Sequence, residues 1–432
     1  MTIGTITRAV GVVGVTAIVL GGLAVGCETK AEQQAQDGLA DFQQCDLRAA
    51  SQSFANAHSL DPSRADFALA YALSTVAVLP EDPNVTAVLE RMGFTQPIDT
   101  SKFWGSGGVF DQLSTRDASC QSVSDAILAA IPYAPAQKDG PSAASVVSDT
   151  TLDGNDFVTA ALAIEPRLQK VVSALEQGAG AMSEFDITGG CGVGTIHIES
   201  PEVYGLASFL EWTVATIQAA AAYDWGVQAT LAFDSSGQET TYVTELNAHI
   251  LHLLPGSGAT LAASLQSAQH ATALLQKGIV AALAIKTRPA NSLFDWPAVP
   301  PGVLADMQTL ALGLNQLLAA SGPQALPFFM PGLAMDAQSF FTSPVDFTGA
   351  NPPIWSAVPW PDSSASGGYE VTTSSDVLDS QLESRFSPDP FSNTAPGYSF
   401  ELGSRWQNIT SSAWSAAFDP DHRWENAYGC AN

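Results

Sequence analysis

Positive charge is the scarcest feature of this 432-residue chain: 16 Lys and Arg stand against 43 Asp and Glu, a formal net charge of −27. No Lys or Arg lies between Lys170 and Lys277, or between Arg288 and Arg385. Such a surface repels polyanions, which excludes nucleic acid as a partner. Catalytic signatures are also lacking. There is no Gly-x-Ser-x-Gly elbow and no His-Glu-x-x-His zinc helix. His249 and His252 stand one helical turn apart without a nearby Glu or Cys ligand, and the group Asp419, Asp421, His422 and Glu425 has no specific metal spacing. Asp149, Asp153 and Gly154 lack the glutamate that closes a calcium loop. The expectation is therefore a non-enzymatic protein with no cofactor and no resident metal. Charged residues make up 14% of the chain and hydrophobic ones 46%, so a sizeable core is available and wholesale disorder is excluded.

The N-terminus carries the most specific signal. Arg8 precedes an apolar run over residues 9–23, short for a membrane span and weakened by glycine pairs. Leu23-Ala24-Val25-Gly26-Cys27 follows. This stretch resembles the lipobox of bacterial lipoproteins, with Ala24 where the family usually carries Leu. The resemblance implies a signal peptide over residues 1–26, cleavage before Cys27, and lipidation of Cys27 by palmitate-type chains. Two or three acyl chains anchor stably where one does not. The implied address is the cell envelope, and the outer membrane in particular. The alternative is an ordinary secretory signal cut nearby, or an uncleaved anchor. With Cys27 lipidated, Cys45, Cys120, Cys191 and Cys430 remain as disulfide candidates. Four cysteines pair in three ways. Cys45 with Cys120 and Cys191 with Cys430 is the favoured choice, because the first two share the N-terminal region.

Gly38, Phe42, Ala50, Phe54, Ala57 and Pro62 fall at the spacing of a tetratricopeptide repeat. Gly38 would let a second helix approach the first, Phe54 would fill the groove between them, and Asp61-Pro62 would close the unit. Residues 65–72 start another first helix, and the pattern fades at Leu79-Pro80. The resemblance covers about one and a quarter repeats; since about three are needed for a stable stack, divergent helical units must serve as neighbours. It implies a concave face near Phe42, Phe54 and Tyr71 as the contact surface for a protein partner.

Further along, a short helix is expected over residues 81–93, a loop over 101–117 and a helix over 120–131. Residues 138–151 read as a linker. A helical stretch over 156–175 carries Leu168, Val171, Val172 and Leu175 on one face, with a break or kink at Pro166. Phe185 and Ile187 alternate opposite Ile196 and Ile198, predicting a small β-hairpin. Ser200-Pro201-Glu202 has a hydroxyl N-cap, a first-turn proline and a carboxylate near the positive dipole end, so a helix runs from there to about residue 223. Being apolar nearly all round, it should be central and buried. Two more helices centre on 261–279 and 303–317. Beyond about residue 331, proline, serine and tryptophan gather, with one short strand expected at 369–373.

The fold expected is all-α: a helical hairpin array with a tetratricopeptide-like start, a minor β-hairpin and a loop-rich tail. Its parts are the signal (1–26), the repeat-like region (27–93), the helical array (94–330) and the Pro/Trp-rich tail (331–432). The function expected is that of a lipid-anchored envelope scaffold holding a protein partner. The alternative is capture of glycans or nutrients, similar in plan to the SusD-like lipoproteins, with tail tryptophans stacking on sugar rings. A third reading is an envelope hydrolase without a local motif, since paired carboxylates leave little signature.

Overall fold

The computed structural model describes residues 29–91, 100, 145–146, 152–182, 184–187, 196–233, 239–246, 252–288, 292, 294–325, 334–345, 355–359, 369–373 and 385–387. The expectations for the signal peptide, Cys27, the 120–131 helix, His249 and the Asp419 group lie outside those residues.

Helices dominate. The first three are α1 (Lys30–Gln43), α2 (Leu47–Leu60) and α3 (Ala65–Val78). A 3₁₀ turn at Leu79–Glu81, with Pro80 in its first turn, leads to α4 (Pro83–Arg91). The long helices are α5 (Gly154–Ala181), α6 (Ser200–Ala220), α7 (Ser257–Ala284) and α8 (Pro301–Ala319), with the short α9 at Ser339–Thr342. Packing follows chain order: α1 on α2, α2 on α3, α3 on α5, α5 on α6, α6 on α7 and α7 on α8.

Local chemistry fixes the first hairpin. Thr29 and Glu32 form a capping box at the start of α1. At its end the Asp46 amide donates to the Asp41 carbonyl at 2.9 Å and the Cys45 amide to the Phe42 carbonyl at 3.1 Å. These are the two bonds of a Schellman closure, which places Cys45 at φ 63°, the left-handed position usually given to glycine. Asp46 then caps α2 through Ala49, so the turn needs no further residues. Between the helices, a Cβ on Gly38 would lie 2.9 Å from the Phe54 ring. Ala50 and Ala57 are fully buried. The small and large residues at repeat-like spacing thus pack one against another.

The central core joins α3, α5, α6 and α7. Leu69, Leu168, Val171, Val172, Leu175, Val214 and Leu274 are each at most 2% exposed and share one cluster. Each such side chain contributes roughly 1.5–3 kcal/mol by leaving water. Helix α5 continues through Pro166 rather than breaking there. The proline removes one bond, to the carbonyl of Leu162, and that residue is 38% exposed on the solvent side, where water can take its place. Helix α6 is central, as its composition predicts, and it starts on Glu199 instead of Ser200. The Glu202 carboxylate folds back to accept from the Glu199 amide at 2.9 Å, which sets the cap one residue earlier.

Strands complete the architecture. The predicted hairpin forms as β3 (Glu184–Ile187) against β4 (Ile196–Glu199), with Phe185 opposite Ile198 and Ile187 opposite Ile196. A larger antiparallel sheet, absent from the sequence expectations, comprises β1 (Ser145–Val146), β2 (Leu152–Asp153), β5 (Val227–Phe233), β6 (Glu239–Leu246), β9 (Trp355–Pro359) and β10 (Tyr369–Thr373). Strands β1 and β2 both pair with β5, so the expected linker (138–151) supplies one piece of sheet and the two residues that follow it supply another. Strand β10 is the one expected in the tail; it pairs β9 and, at Tyr369, Val243 of β6. A smaller sheet orders β11 (Phe386–Ser387), β8 (Ala334–Met335) and β7 (Gln324–Ala325). Among the described residues no helix is long and apolar enough to cross a membrane.

Candidate functional site

The densest polar chemistry lies where the β3–β4 hairpin feeds α6. A strand alternates its side chains between two faces. Phe185 and Ile198 therefore share one face, which joins the central core. The other face carries Glu184 opposite Glu199 and Asp186 opposite His197. On the β4 side this face is covered: His197 and Glu199 are each 7% exposed. Ser292, fully buried, bridges beside His197, and Trp296 follows to donate its indole N–H to Glu202 Oε1 at 2.9 Å. On the β3 side it is open, the Glu184 side chain being 69% exposed.

His197 Nδ1 lies 2.7 Å from Asp186 Oδ1. An ionised carboxylate can only accept, so this contact assigns a ring proton to Nδ1 and, in the neutral ring, leaves Nε2 as a lone pair. Nε2 sits 3.8 Å from Glu184 Oε2, beyond hydrogen-bond reach. It is buried and accepts or donates no hydrogen bond, and the same holds for Glu199 Oε2. Burial raises the Glu199 carboxyl above its ordinary range; the facing Glu184 adds to this, and His197 opposes it. Glu202 is pushed up to about 7, chiefly by burial, against hydrogen bonds from its own amide, from Trp296 and from the Glu199 amide. The corner thus holds an imidazole oriented by a carboxylate beside two carboxyls that retain protons more readily than in water. As the side chains stand, no three metal-binding groups converge among the described residues.

A second polar junction ties α5, α6 and α7. Lys277 Nζ donates to Glu176 Oε1 at 2.6 Å, while His270 reaches Glu176 Oε2 at 3.1 Å and Glu211 Oε1 at 3.4 Å. Burial pushes Glu176 up, yet Lys277 and His270 together hold it below its ordinary value. This network reads as an interhelical clamp.

The residues expected to meet a partner are not gathered on one open face. Phe54 is 8% exposed, pinned by Gly38. Phe42 is half-buried against Leu47 and Val78. Tyr71 packs on the central core and stacks on His58 at 5.5 Å. Large apolar side chains that do face outward include Leu60 on α2 and Phe209 on α6. Cys45 is disulfide-bonded; Cys120, Cys191 and Cys430, the other candidates, lie outside the described residues. Asp153 and Gly154 have a local role: Asp153 caps α5 through the Asn155 amide at 2.9 Å. The hairpin cluster was visible in the alternation of Glu184-Phe185-Asp186-Ile187 and Ile196-His197-Ile198-Glu199, had its polar members been paired as its apolar ones were.

No protein-family model, curated protein or solved structure matches this chain.

Proposed function

We propose that this protein is a lipid-anchored scaffold of the bacterial cell envelope, tethered through Cys27, whose helical array holds a protein partner. The observation that carries the reading is the packing order: each helix from α1 to α8, apart from α4, rests on its neighbours in sequence, which is the plan of a helical array. The disulfide at Cys45 supports an oxidising compartment. The lipobox-like run into Cys27 supports the tether. The repeat-like spacing of Gly38, Phe54, Ala50 and Ala57, packed as such a hairpin requires, supports a tetratricopeptide-like entrance. With Phe54 buried, the contact surface on this hairpin falls to outward residues such as Arg48 and Leu60.

Metabolic labelling with a palmitate analogue tests the tether. The native protein should carry label and sediment with membranes, and Cys27→Ser should lose both. A photo-crosslinker at Leu60 tests the scaffold: one discrete adduct is expected in membranes and none when the crosslinker replaces Asn56 in a chain released by Cys27→Ser. An unlabelled protein still beginning at Met1 would refute the anchored reading.

A further inference from the structure

We propose that the polar face of the β3–β4 hairpin binds a divalent transition-metal ion of the zinc class, through His197 Nε2 and the carboxylates of Glu199 and Glu184. Four observations lead there. Glu184 and Glu199 stand directly opposite each other in register, an arrangement of like charges that is unfavourable until something neutralises it. His197 has its Nδ1–H held by Asp186 at 2.7 Å, the carboxylate–histidine relation that orients a metal-binding imidazole and raises its basicity. The nitrogen left over, Nε2, is buried without a hydrogen bond in a side chain only 7% exposed. Glu199 Oε2, two residues along the same strand face, is buried without one as well.

Two unpartnered polar atoms on one buried face call for a ligand, and the carboxylates of Glu184 and Glu199 facing each other there favour a cation. Donors about 2.0–2.2 Å from a tetrahedral zinc ion lie roughly 3.3–3.6 Å from each other. Nε2 and Glu184 Oε2 stand 3.8 Å apart, a little wider than that. Three ligands do not converge as the side chains stand. Glu184 has the room to adjust, its side chain being 69% exposed. His197 and Glu199 are the buried half of the site, and Glu184 is the exposed half that would close over the ion. An imidazole nitrogen with two carboxylates suits zinc and its neighbours; calcium and magnesium take six or more oxygens and gain little from the ring.

The test uses the full-length protein, stripped with chelator and titrated with zinc chloride, read by calorimetry and by metal analysis after dialysis. One zinc per chain is expected, with a rise in Tm. Glu184→Gln, an exposed change that leaves the fold intact, should weaken binding at least tenfold. Asp186→Asn should weaken it 10- to 100-fold, as loss of an orienting carboxylate does elsewhere. His197→Ala should abolish it, and where that variant fails to fold the two carboxylate variants decide. No stoichiometric zinc in the native protein would overturn the proposal. So would unchanged affinity in both Glu184→Gln and Asp186→Asn, or equal competition by calcium, which would mark diffuse attraction to an acidic surface.

Discussion

Replacing Glu202 with glutamine should remove a penalty that the native fold carries at neutral and alkaline pH. The carboxyl is raised from 4.5 to about 7, mainly by burial, so the folded chain holds this proton more tightly than the unfolded chain does. The stability linked to that proton is fully present below about pH 4.5 and is lost as the pH rises through 7. At about 1.4 kcal/mol for each tenfold change in acidity, the displacement corresponds to roughly 3 kcal/mol. Glutamine cannot ionise, but it has one acceptor oxygen where the carboxylate offers two: Oε2 meets the Glu199 amide and Oε1 the Trp296 indole, so one of these bonds is lost at every pH. Urea unfolding at pH 4.5, 6 and 8 should therefore show the Glu202→Gln variant less stable than the native protein at the lowest pH, by about 1–3 kcal/mol for the donor left unsatisfied. Between pH 4.5 and pH 8 the difference should move in the variant's favour by about 2–3 kcal/mol. A difference that stays constant across the three pH values would mean that Glu202 does not titrate in this range, and the account of its burial would fail.

Three further outcomes follow from close contacts and backbone geometry. Gly154→Ala would place a Cβ 2.2 Å from the Trp225 carbonyl oxygen, which is backbone and cannot step aside; a loss of at least about 2 kcal/mol is expected by chemical denaturation. Gly38→Ala would press on the Phe54 ring at 2.9 Å and lower stability by about 1–3 kcal/mol, and Phe54→Leu in the same chain should recover part of that loss. Cys45→Gly and Cys45→Ser both remove the disulfide, yet only glycine accepts φ 63° without strain. The glycine variant should be the more stable by about 0.5–1 kcal/mol, which thermal unfolding under identical buffer will show.

Helix positions are largely legible in the sequence because their apolar residues recur with a helical period and their ends carry caps. Leu168, Val171, Val172 and Leu175 were a readable stripe and are the buried face of α5. The hairpin was equally legible, since Phe185, Ile187, Ile196 and Ile198 alternate on both sides of a glycine-rich turn. Pro166 misleads because a proline's missing bond matters little where the freed carbonyl meets water. The large sheet was overlooked for a different reason. Val227, Ala229, Leu231 and Phe233 do alternate, and the run Thr240-Thr241-Tyr242-Val243-Thr244 is rich in strand formers, yet both lie between strongly helical neighbours. Strand partners from outside that hairpin, at residues 145–153 and 355–373, cannot be inferred from local pattern at all. The candidate site shows the same division. The alternation that puts His197 and Glu199 on one face is local, whereas Ser292, which pairs beside His197, and Trp296, which bonds Glu202, come from a segment some hundred residues away, which no spacing rule reports.

Strand β6 waits for Tyr369 of β10, more than a hundred residues further along the chain, to occupy its free side. The helical rods can settle as they emerge, because their contacts are with near neighbours, but this border must stay bare until the last quarter of the polypeptide arrives. A bare strand border recruits any strand that meets it, including one from another copy. Completion of this sheet therefore places the greatest hazard late, and a chain truncated before residue 355 should clump although every long helix is intact.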